Sequence, residues 1–453
     1  MGQNPDHMRR IATSSSTPVG LLGNYAGRSP HGSSARRWAG AAALFIGLSG
    51  ASPAVSQEPV PPPIDSLVAR LERAEETIAL LQQQMADQAQ VAVQTRSRLS
   101  FELTGRVLVH AFSNSARVNN IDVPLMVSPL VADGLPRGGI GLSVRQSSLG
   151  FIVTAPNILG ADFTLDMDLD FDGGQNDGST SPILRLAVTR AWLRWKRAEV
   201  MIGQDGPLVS PLNPRSLASI GAPGFSATGN LWAWLPQMRV GVMRPGRVTV
   251  GVTGAVLAPT LAGRADMTLS DHDLAQRSRR PFVEARAHAR WGEDDLATEV
   301  GVGIHRGWYA TANTSTLRRA AGVTADASVP LSRRVEVRGE WYAGKGMQGL
   351  GGGAVGHLFT VTGQPVRSTG MWGQVNVKPT AHVSFGGGVG RDDPDNEGLP
   401  ATGRQKNVVS EVHVQVRPAG PIILGLEARR MATTYETGTR KNTHVNIAVG
   451  FEC

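Results

Sequence analysis

Residues 161–171 read ADFTLDMDLDF, a strict alternation of apolar and polar side chains. The apolar positions are Phe163, Leu165, Met167, Leu169 and Phe171, and the polar positions are Asp162, Thr164, Asp166, Asp168 and Asp170. Because successive side chains of a β-strand point to opposite faces, this pattern predicts a strand with one apolar and one charged face. The sheet that contains it is expected to contact water on one side only.

The same period of two recurs along the chain from Phe101 onward. Residues 283–290 (VEARAHAR), 335–342 (VEVRGEWY) and 411–417 (EVHVQVR) each place small or apolar residues between charged or polar ones. Sixteen such segments are predicted, with an uncertainty of about two strands because strand boundaries and weak strands are hard to place from sequence. They are 101–112, 143–154, 160–171, 184–195, 198–204, 236–243, 247–257, 281–291, 295–305, 317–329, 333–343, 368–378, 381–390, 406–417, 421–431 and 443–451.

The connections between these segments alternate between long and short. The long ones include 113–142, 205–235, 258–280, 344–367 and 391–405, whereas the short ones are turns such as WKRA and MRPGR. A soluble β-sandwich has no reason to collect every long loop at one end, but outer-membrane barrels combine short periplasmic turns with long outer loops. The sequence therefore predicts an all-β fold, a closed antiparallel transmembrane β-barrel over residues 101–453.

Composition excludes several other classes of protein. No stretch approaches the run of about 20 apolar residues that a membrane helix needs. The chain has one cysteine, Cys453, so it lacks a disulfide framework and a thiolate metal site. The formal charge of +8 comes from basic residues that are scattered singly, which argues against nucleic acid as a partner. No zinc-protease, Walker or nucleophile-elbow motif is present, and we expect neither a cofactor nor a metal nor enzymatic activity.

The first 56 residues are predicted to be a signal peptide with an extended amino-terminal region. Arg36 and Arg37 precede the apolar run 38–48 (WAGAAALFIGL), and small residues Ala54 and Ser56 follow at a cleavage spacing. The alternative is a short buried helix, for which the arginines and the small residues would be coincidental. A proline-rich spacer over 57–63 comes next.

Residues 64–90 are predicted to form an α-helical coiled coil, joined to the barrel by a linker over 91–100. The apolar positions recur at alternating spacings of three and four, at Ile64, Leu67, Leu71, Ala74, Ile78, Leu81 and Met85. Such a narrow stripe cannot form a globular core, so it pairs with copies of itself in this interpretation. The alternative is a single amphipathic helix packed on its own domain.

Charged residues on the wet face of the predicted sheet are the candidates to line the pore. The candidate residues on strands are Arg106, Arg190, Arg194, Arg239, Arg286, Arg338, Asp166, Asp168, Asp170, Glu284 and Glu336. Charged groups inside a water-filled pore act as selectivity elements, and the excess of arginine predicts a preference for anions. The competing interpretation, favoured for any single residue, is that they form cross-strand ion pairs that stiffen the wall.

The chain resembles the DcaP-type trimeric outer-membrane porins. The residues that carry the resemblance are the coiled coil, 145–151 (RQSSLGF), 190–195 (RAWLRW) running into 200–205 (VMIGQD), and the proline-rich loop that follows. The resemblance covers most of the mature chain and implies a sixteen-stranded barrel, a homotrimer and diffusion of small anionic solutes. The outer-membrane lipid would surround the barrel, and the coiled coil would lie in the periplasm. One departure is that Glu452 and Cys453 follow Phe451, where such barrels usually end in an aromatic residue.

The long loop 205–235 follows the fifth predicted strand, at the place where the loop of porins folds inward and narrows the channel. Arg215 and the pair Trp232 and Trp234 are therefore candidates to line a constriction. The alternative is that the loop only covers the outer mouth. At the level of the whole protein, the leading hypothesis is a passive porin, and the alternatives are a structural or adhesive barrel without an open pore and an outer-membrane enzyme.

Overall fold

The computed structural model describes residues 99–129, 138–173, 182–261, 272–293, 296–311 and 314–453. The predicted signal peptide, spacer and coiled coil lie outside these ranges, as does nearly all of the predicted linker. Within the described ranges, no helix is both long and apolar enough to cross a membrane.

The described chain consists almost entirely of β-strands. They are β1 (Ser100–Asn114), β2 (Gly139–Ser143), β3 (Ser148–Ile158), β4 (Ala161–Asp170), β5 (Arg185–Arg194), β6 (Ala198–Asp205), β7 (Leu235–Arg244), β8 (Val248–Leu257), β9 (Phe282–Trp291), β10 (Thr298–Thr311), β11 (Thr314–Ser332), β12 (Val335–Lys345), β13 (Arg367–Val377), β14 (Val383–Pro394), β15 (Arg404–Val416), β16 (Ile422–Tyr435) and β17 (Gly438–Glu452). Short 3-10 helices cover Gln276–Ser278, Met347–Leu350 and Gly353–Gly356.

These strands close into one antiparallel barrel of sixteen wall strands. Each strand from β3 onward pairs with the next, and β17 pairs with β1 from Arg106↔Glu452 to Asn114↔His444. The other edge of β1 pairs first with β3 and then with β2, so these two segments form one wall strand that is interrupted at 144–147. Closure leaves no unpaired sheet edge, as a lipid environment requires. The predicted barrel and its strand number are confirmed.

The alternation of side chains places the apolar face of the wall outside. On β10, Val302 and Ile304 are about 60% exposed, while the adjacent His305 points inward and is buried. On β8, Val250 and Val252 are exposed and Thr253 is buried. An exterior covered with valine, leucine and isoleucine is the surface that a bilayer buries, and the polar residues face the barrel axis.

The prediction of long loops at one end holds for most connections but is wrong for two of them. At that end, β10 joins β11 through residues 312–313 alone, and β16 joins β17 through residues 436–437 alone. The strands continue over most of 306–316 and 432–442, where longer connections are predicted, because the residues there keep pairing. Trp308 pairs with Arg319 between β10 and β11, and Ala432 pairs with Lys441 between β16 and β17. The remaining connections at this end are longer, and those at the opposite end are short turns.

Candidate functional site

The predicted pore-lining arginines form ion pairs across the inner face of the wall. On β5, Arg190 lies 2.8 Å from Asp166 of β4 and 3.3 Å from Asp205 at the end of β6. Asp205 also accepts a contact of 3.1 Å from Arg239 of β7. Arg190 and Arg239 are both buried. This network holds four neighbouring strands together and cancels most of its own charge.

The same arrangement recurs further along the wall, from β9 to β12. Arg286 of β9 lies 2.6 Å from Asp326 and 3.0 Å from Glu299. Arg338 of β12 lies 2.5 Å from Glu336 of the same strand. These contacts favour the interpretation that such residues stiffen the wall.

Most of the remaining predicted residues on the strands also lie in ion pairs. Arg106 pairs with Glu452, Arg194 lies 3.9 Å from Glu199, and Asp170 binds Arg185 at 2.7 Å. Asp168 borders a small cavity together with Ile220 and Trp234. Glu284 is different from the others, because it contacts His305 at 3.0 Å and also receives a backbone N–H from a loop.

That loop comprises residues 206–234, which join β6 to β7 and are here called the crossing loop. Its first part is held by two buried glutamates of the wall. The N–H of Val209 donates to Glu284 of β9 at 3.3 Å. Glu340 of β12 accepts the Ser210 hydroxyl at 2.5 Å and the Leu212 N–H at 2.7 Å.

The middle of the crossing loop contacts β12, β13 and β16. The backbone N–H of Arg215 donates to the Gln374 side chain at 2.8 Å, and the Gln374 amide returns a hydrogen bond of 2.9 Å to the carbonyl of Arg215. The Arg215 guanidinium binds Glu336 at 2.9 Å. One residue further, the Ser216 hydroxyl donates to Glu427 of β16 at 2.5 Å.

The crossing loop next contacts the interruption between β2 and β3. The Gln146 side-chain oxygen accepts the N–H of Ile220 at 2.6 Å and that of Gly221 at 3.0 Å. The neighbouring Arg145, which is buried, binds Asp122 at 2.9 Å and also pairs with Asp172. The interrupted strand therefore ties the crossing loop and the two loops that contain Asp122 and Asp172 to one short segment.

Glycines of the wall make room for the returning part of the crossing loop. A Cβ atom at Gly390 of β14 would stand 2.7 Å from the ring of Phe225, and one at Gly388 would stand 2.9 Å from it. The ring of Phe225 stacks on Trp372 of β13 with centroids 5.9 Å apart. Gly229, with φ of +106°, lies against the backbone of Met371. The close approach depends on these residues lacking side chains.

The tryptophan pair lies where the crossing loop returns to β7. Trp232 and Trp234 pack edge to face with centroids 5.5 Å apart, and the Arg185 guanidinium lies 4.8 Å above the Trp234 ring. Both tryptophans are half-buried.

Arg215 differs from all other predicted pore-lining residues in its exposure. Its side chain is 46% exposed, whereas that of its partner Glu336 is 19% exposed and that of Arg338, the second cation on Glu336, is 6% exposed. Two guanidinium groups thus share one carboxylate, and the exposed member carries the surplus positive charge. Among the described residues, no cluster of histidine, cysteine and carboxylate side chains could hold a metal ion.

Several residues that hold the crossing loop are absent from the predicted site. They are Gln146, Gln374 and Glu427. For Gln146 a signal existed, because the period of two breaks at 144–147. For the others no signal distinguishes an acceptor of loop hydrogen bonds from an ordinary inward-facing polar residue.

The fold is similar to that of solved outer-membrane channels. The outer membrane channel DcaP of Acinetobacter baumannii aligns with a TM-score of 0.61 and 15% identity, over 78% of this chain and 97% of that chain. The anion-selective porin from Comamonas acidovorans aligns with a TM-score of 0.52 and 13% identity, over 79% of this chain and 100% of that chain. No protein-family profile and no curated relative matches the chain. At these identities the likeness concerns the fold, and at that level the resemblance to DcaP-type porins is confirmed.

Proposed function

We propose that this protein is an outer-membrane porin through which small hydrophilic solutes, chiefly anions, diffuse passively. The observation that carries the proposal is the set of hydrogen bonds between the crossing loop and buried side chains on the inner faces of β9, β12, β13 and β16. A loop held at these points narrows a barrel that would otherwise be wide enough to leave a broad aqueous lumen. The two similar structures are an outer membrane channel and an anion-selective porin.

The proposed preference for anions rests on Arg215. Most charges of the inner wall are paired and buried, so they contribute little to the field that a passing ion meets. Arg215 remains exposed on the crossing loop and shares Glu336 with Arg338. A net positive charge at the narrowest part of a pore favours anions.

The cellular setting is also part of the proposal. Residues 1–56 would be removed on export, residues 64–90 would form a periplasmic coiled coil, and three copies would assemble in the outer membrane of a Gram-negative cell. The short turns and both ends of the sheet would then face the periplasm, as in other outer-membrane barrels.

A second candidate is a barrel with a closed lumen and a structural or adhesive role. Its support is the burial of inward-facing polar residues such as Arg106, His110, Asn446 and His444, each at most 3% exposed. A crossing loop that fills the lumen would produce this burial.

Planar-bilayer recording of the purified full-length protein separates the two candidates. Stepwise conductance, and a reversal potential in a salt gradient that shows anions to be more permeant, is the result expected for the porin. A variant in which residues 209–231 are replaced by a short glycine and serine linker is expected to conduct at least about twice as much, because the obstruction is gone. A silent wild type with a conducting loop variant would contradict the porin and support the closed barrel.

A further inference from the structure

A group of five cationic residues lies at the end of the wall that carries the long loops. Four of them are on neighbouring strands and point outward, and the fifth lies just before the adjacent strand. They are Arg280, just before β9, Arg306 of β10, Arg319 of β11, Lys345 of β12 and Arg367 of β13, here called the cationic patch. Their outward direction on the strands follows from the alternation. Arg306 is two positions from the exposed Ile304, and Arg367 is four positions from the exposed Met371, so each arginine points to the same outer face as that residue.

The register brings the members of the cationic patch close together. Arg306 lies opposite Ala321, Ala321 lies opposite Lys345, and Lys345 lies opposite Arg367. Since neighbouring strands are about 4.8 Å apart, these three cations lie within about 14 Å of one another. Ala321 between them has a small side chain.

An aromatic ring lies within the cationic patch. Trp308 is paired directly with Arg319 in the ladder. The Arg280 guanidinium lies 5.6 Å from the Trp308 ring centroid, and that of Arg306 lies 5.9 Å from it. Tryptophan with arginine or lysine is the combination that proteins place where the hydrocarbon of a membrane gives way to its headgroups.

The charge of the cationic patch is not cancelled by the protein. Among the described residues, none of its five members forms an ion pair with a carboxylate, in contrast to the inner wall. The next strands show the difference on the same face. Arg391 of β14 pairs with Asp393, and Lys406 of β15 lies 3.8 Å from the same carboxylate. An uncompensated group of cations at this position is suited to an anionic ligand.

We infer that the cationic patch binds the phosphate groups of a phosphorylated glycolipid in the outer leaflet of the membrane. This inference rests on the proposed function for the orientation of the barrel, because long loops face outward in outer-membrane barrels. The apolar residues that continue each strand, such as Val302 and Ile304, would contact the acyl chains of the same molecule. A lipid uses both features, whereas a free phosphate ion would use only the charges.

The test measures lipid binding by the full chain purified in a mild non-ionic detergent. Bisphosphorylated lipid A is the probe, and native mass spectrometry counts the bound molecules over a titration. The variant carries R306Q, R319Q and K345Q, and we expect its affinity for the probe to fall at least about tenfold, because each cation lost removes a contact with phosphate. The matched control carries R244Q, R333Q and K378Q, three exposed cations at the short-turn end, and is expected to stay within about twofold of wild type.

Two further arms define the ligand. Dephosphorylated lipid A is expected to bind wild type as weakly as bisphosphorylated lipid A binds the variant, and equal binding of both lipids to wild type would overturn the inference. Inorganic phosphate at the same phosphorus concentration is expected not to displace the lipid, and full displacement would assign the patch to free phosphate instead. Equal loss of affinity in the variant and the matched control would also overturn it.

Two controls keep the outcome interpretable. The change in gel migration on heating reports whether each variant is folded. If the triple variant does not fold, R319Q alone is expected to lower the affinity for bisphosphorylated lipid A about threefold. Bilayer conductance of the triple variant is expected to equal that of wild type, because the patch lies outside the lumen. Lipid binding by a wild-type protein that conducts no ions would contradict the proposed porin and leave the lipid site standing.

Discussion

The side-chain oxygen of Gln146 lies 2.6 Å from the backbone nitrogen of Ile220, in the middle of the crossing loop. Gln146 belongs to a four-residue interruption of the wall, and its oxygen also accepts the N–H of Gly221. The interruption therefore has a role in the site, since its Gln146 side chain holds the middle of the crossing loop.

Replacing Gln146 by leucine is expected to increase the fluctuations of the single-channel current. Two loop N–H groups lose their acceptor, and a loss of about 1 to 3 kcal/mol in anchoring raises the population of displaced loop states about fivefold or more. Single-channel recording should show closures and substates at correspondingly higher frequency. Gln146→Glu keeps an oxygen in the same place and is expected to retain quiet openings, and equal noise in both variants would contradict the anchoring role.

Arg215→Gln is expected to reduce the preference for anions. The exposed guanidinium is lost while Glu336 keeps Arg338 as a partner, so the local charge falls by one. The reversal potential in a tenfold salt gradient measures the change and should move toward the cation side. Arg244→Gln removes an exposed arginine at a short turn outside the lumen and serves as the control. A similar shift in both variants would show that overall charge, and not the charge at the loop, sets selectivity.

Glu340→Ala is expected to destabilise the barrel and to free the start of the crossing loop. The Ser210 hydroxyl, the Leu212 N–H and the Trp372 indole N–H all donate to this buried carboxylate. Leaving such donors unpaired costs about 2 to 5 kcal/mol. Urea unfolding in detergent micelles measures the loss, with Glu397→Ala in an exposed loop as the control. A loss below about 1 kcal/mol would mean that water replaces the carboxylate without cost.

Stability is expected to depend on pH through Asp172, which lies outside the strands. Burial raises the pKa of Asp172 to about 6, although Arg145 and Arg185 act in the opposite direction. Arg145 is shared with Asp122, which limits the compensation it provides. Between about pH 4 and pH 6 the folded chain holds a proton that the unfolded chain has released, so the free energy of unfolding decreases with rising pH by about 1 to 3 kcal/mol.

Asp172→Asn is expected to abolish that dependence on pH. The variant should gain stability relative to wild type at pH 7, and gain little at pH 4, where both carry a neutral side chain. Unfolding midpoints at several pH values measure the difference, and Asp395→Asn in an exposed loop is the comparison. An unchanged slope between pH 4 and pH 6 in Asp172→Asn would show that another group titrates.

The strands could be predicted from the sequence because a wall between lipid and water imposes a strict period of two. Segments such as 161–171 and 335–342 follow it without exception, and their predicted bounds differ from the observed ones by a few residues. The predicted strand ends around 306–316 and 432–442 are wrong, and both stretches are rich in polar residues. Above the apolar band, polar residues are compatible with a strand, so the alternation loses its contrast.

The arrangement of the site could not be predicted because its contacts join residues far apart in the chain. Ser216 and Glu427 are separated by 211 positions, and Gln146 and Ile220 by 74. The alternation of side chains predicts that Glu427 faces inward. It does not predict that Glu427 accepts a hydrogen bond from the Ser216 hydroxyl. The sequence likewise indicates Arg190 and Arg286 as selectivity residues, because their carboxylate partners can be identified only from the strand register.

The pairing of β1 with β17 also bears on how the chain reaches its final form. The ring is completed by β17, the strand furthest from β1 in the sequence, and the backbone of Cys453 exchanges hydrogen bonds with that of Gly105. A product clipped before β17 would be an open sheet with two unpaired edges, which invites pairing between copies. An intact β17 is thus a condition for insertion as a single cylinder.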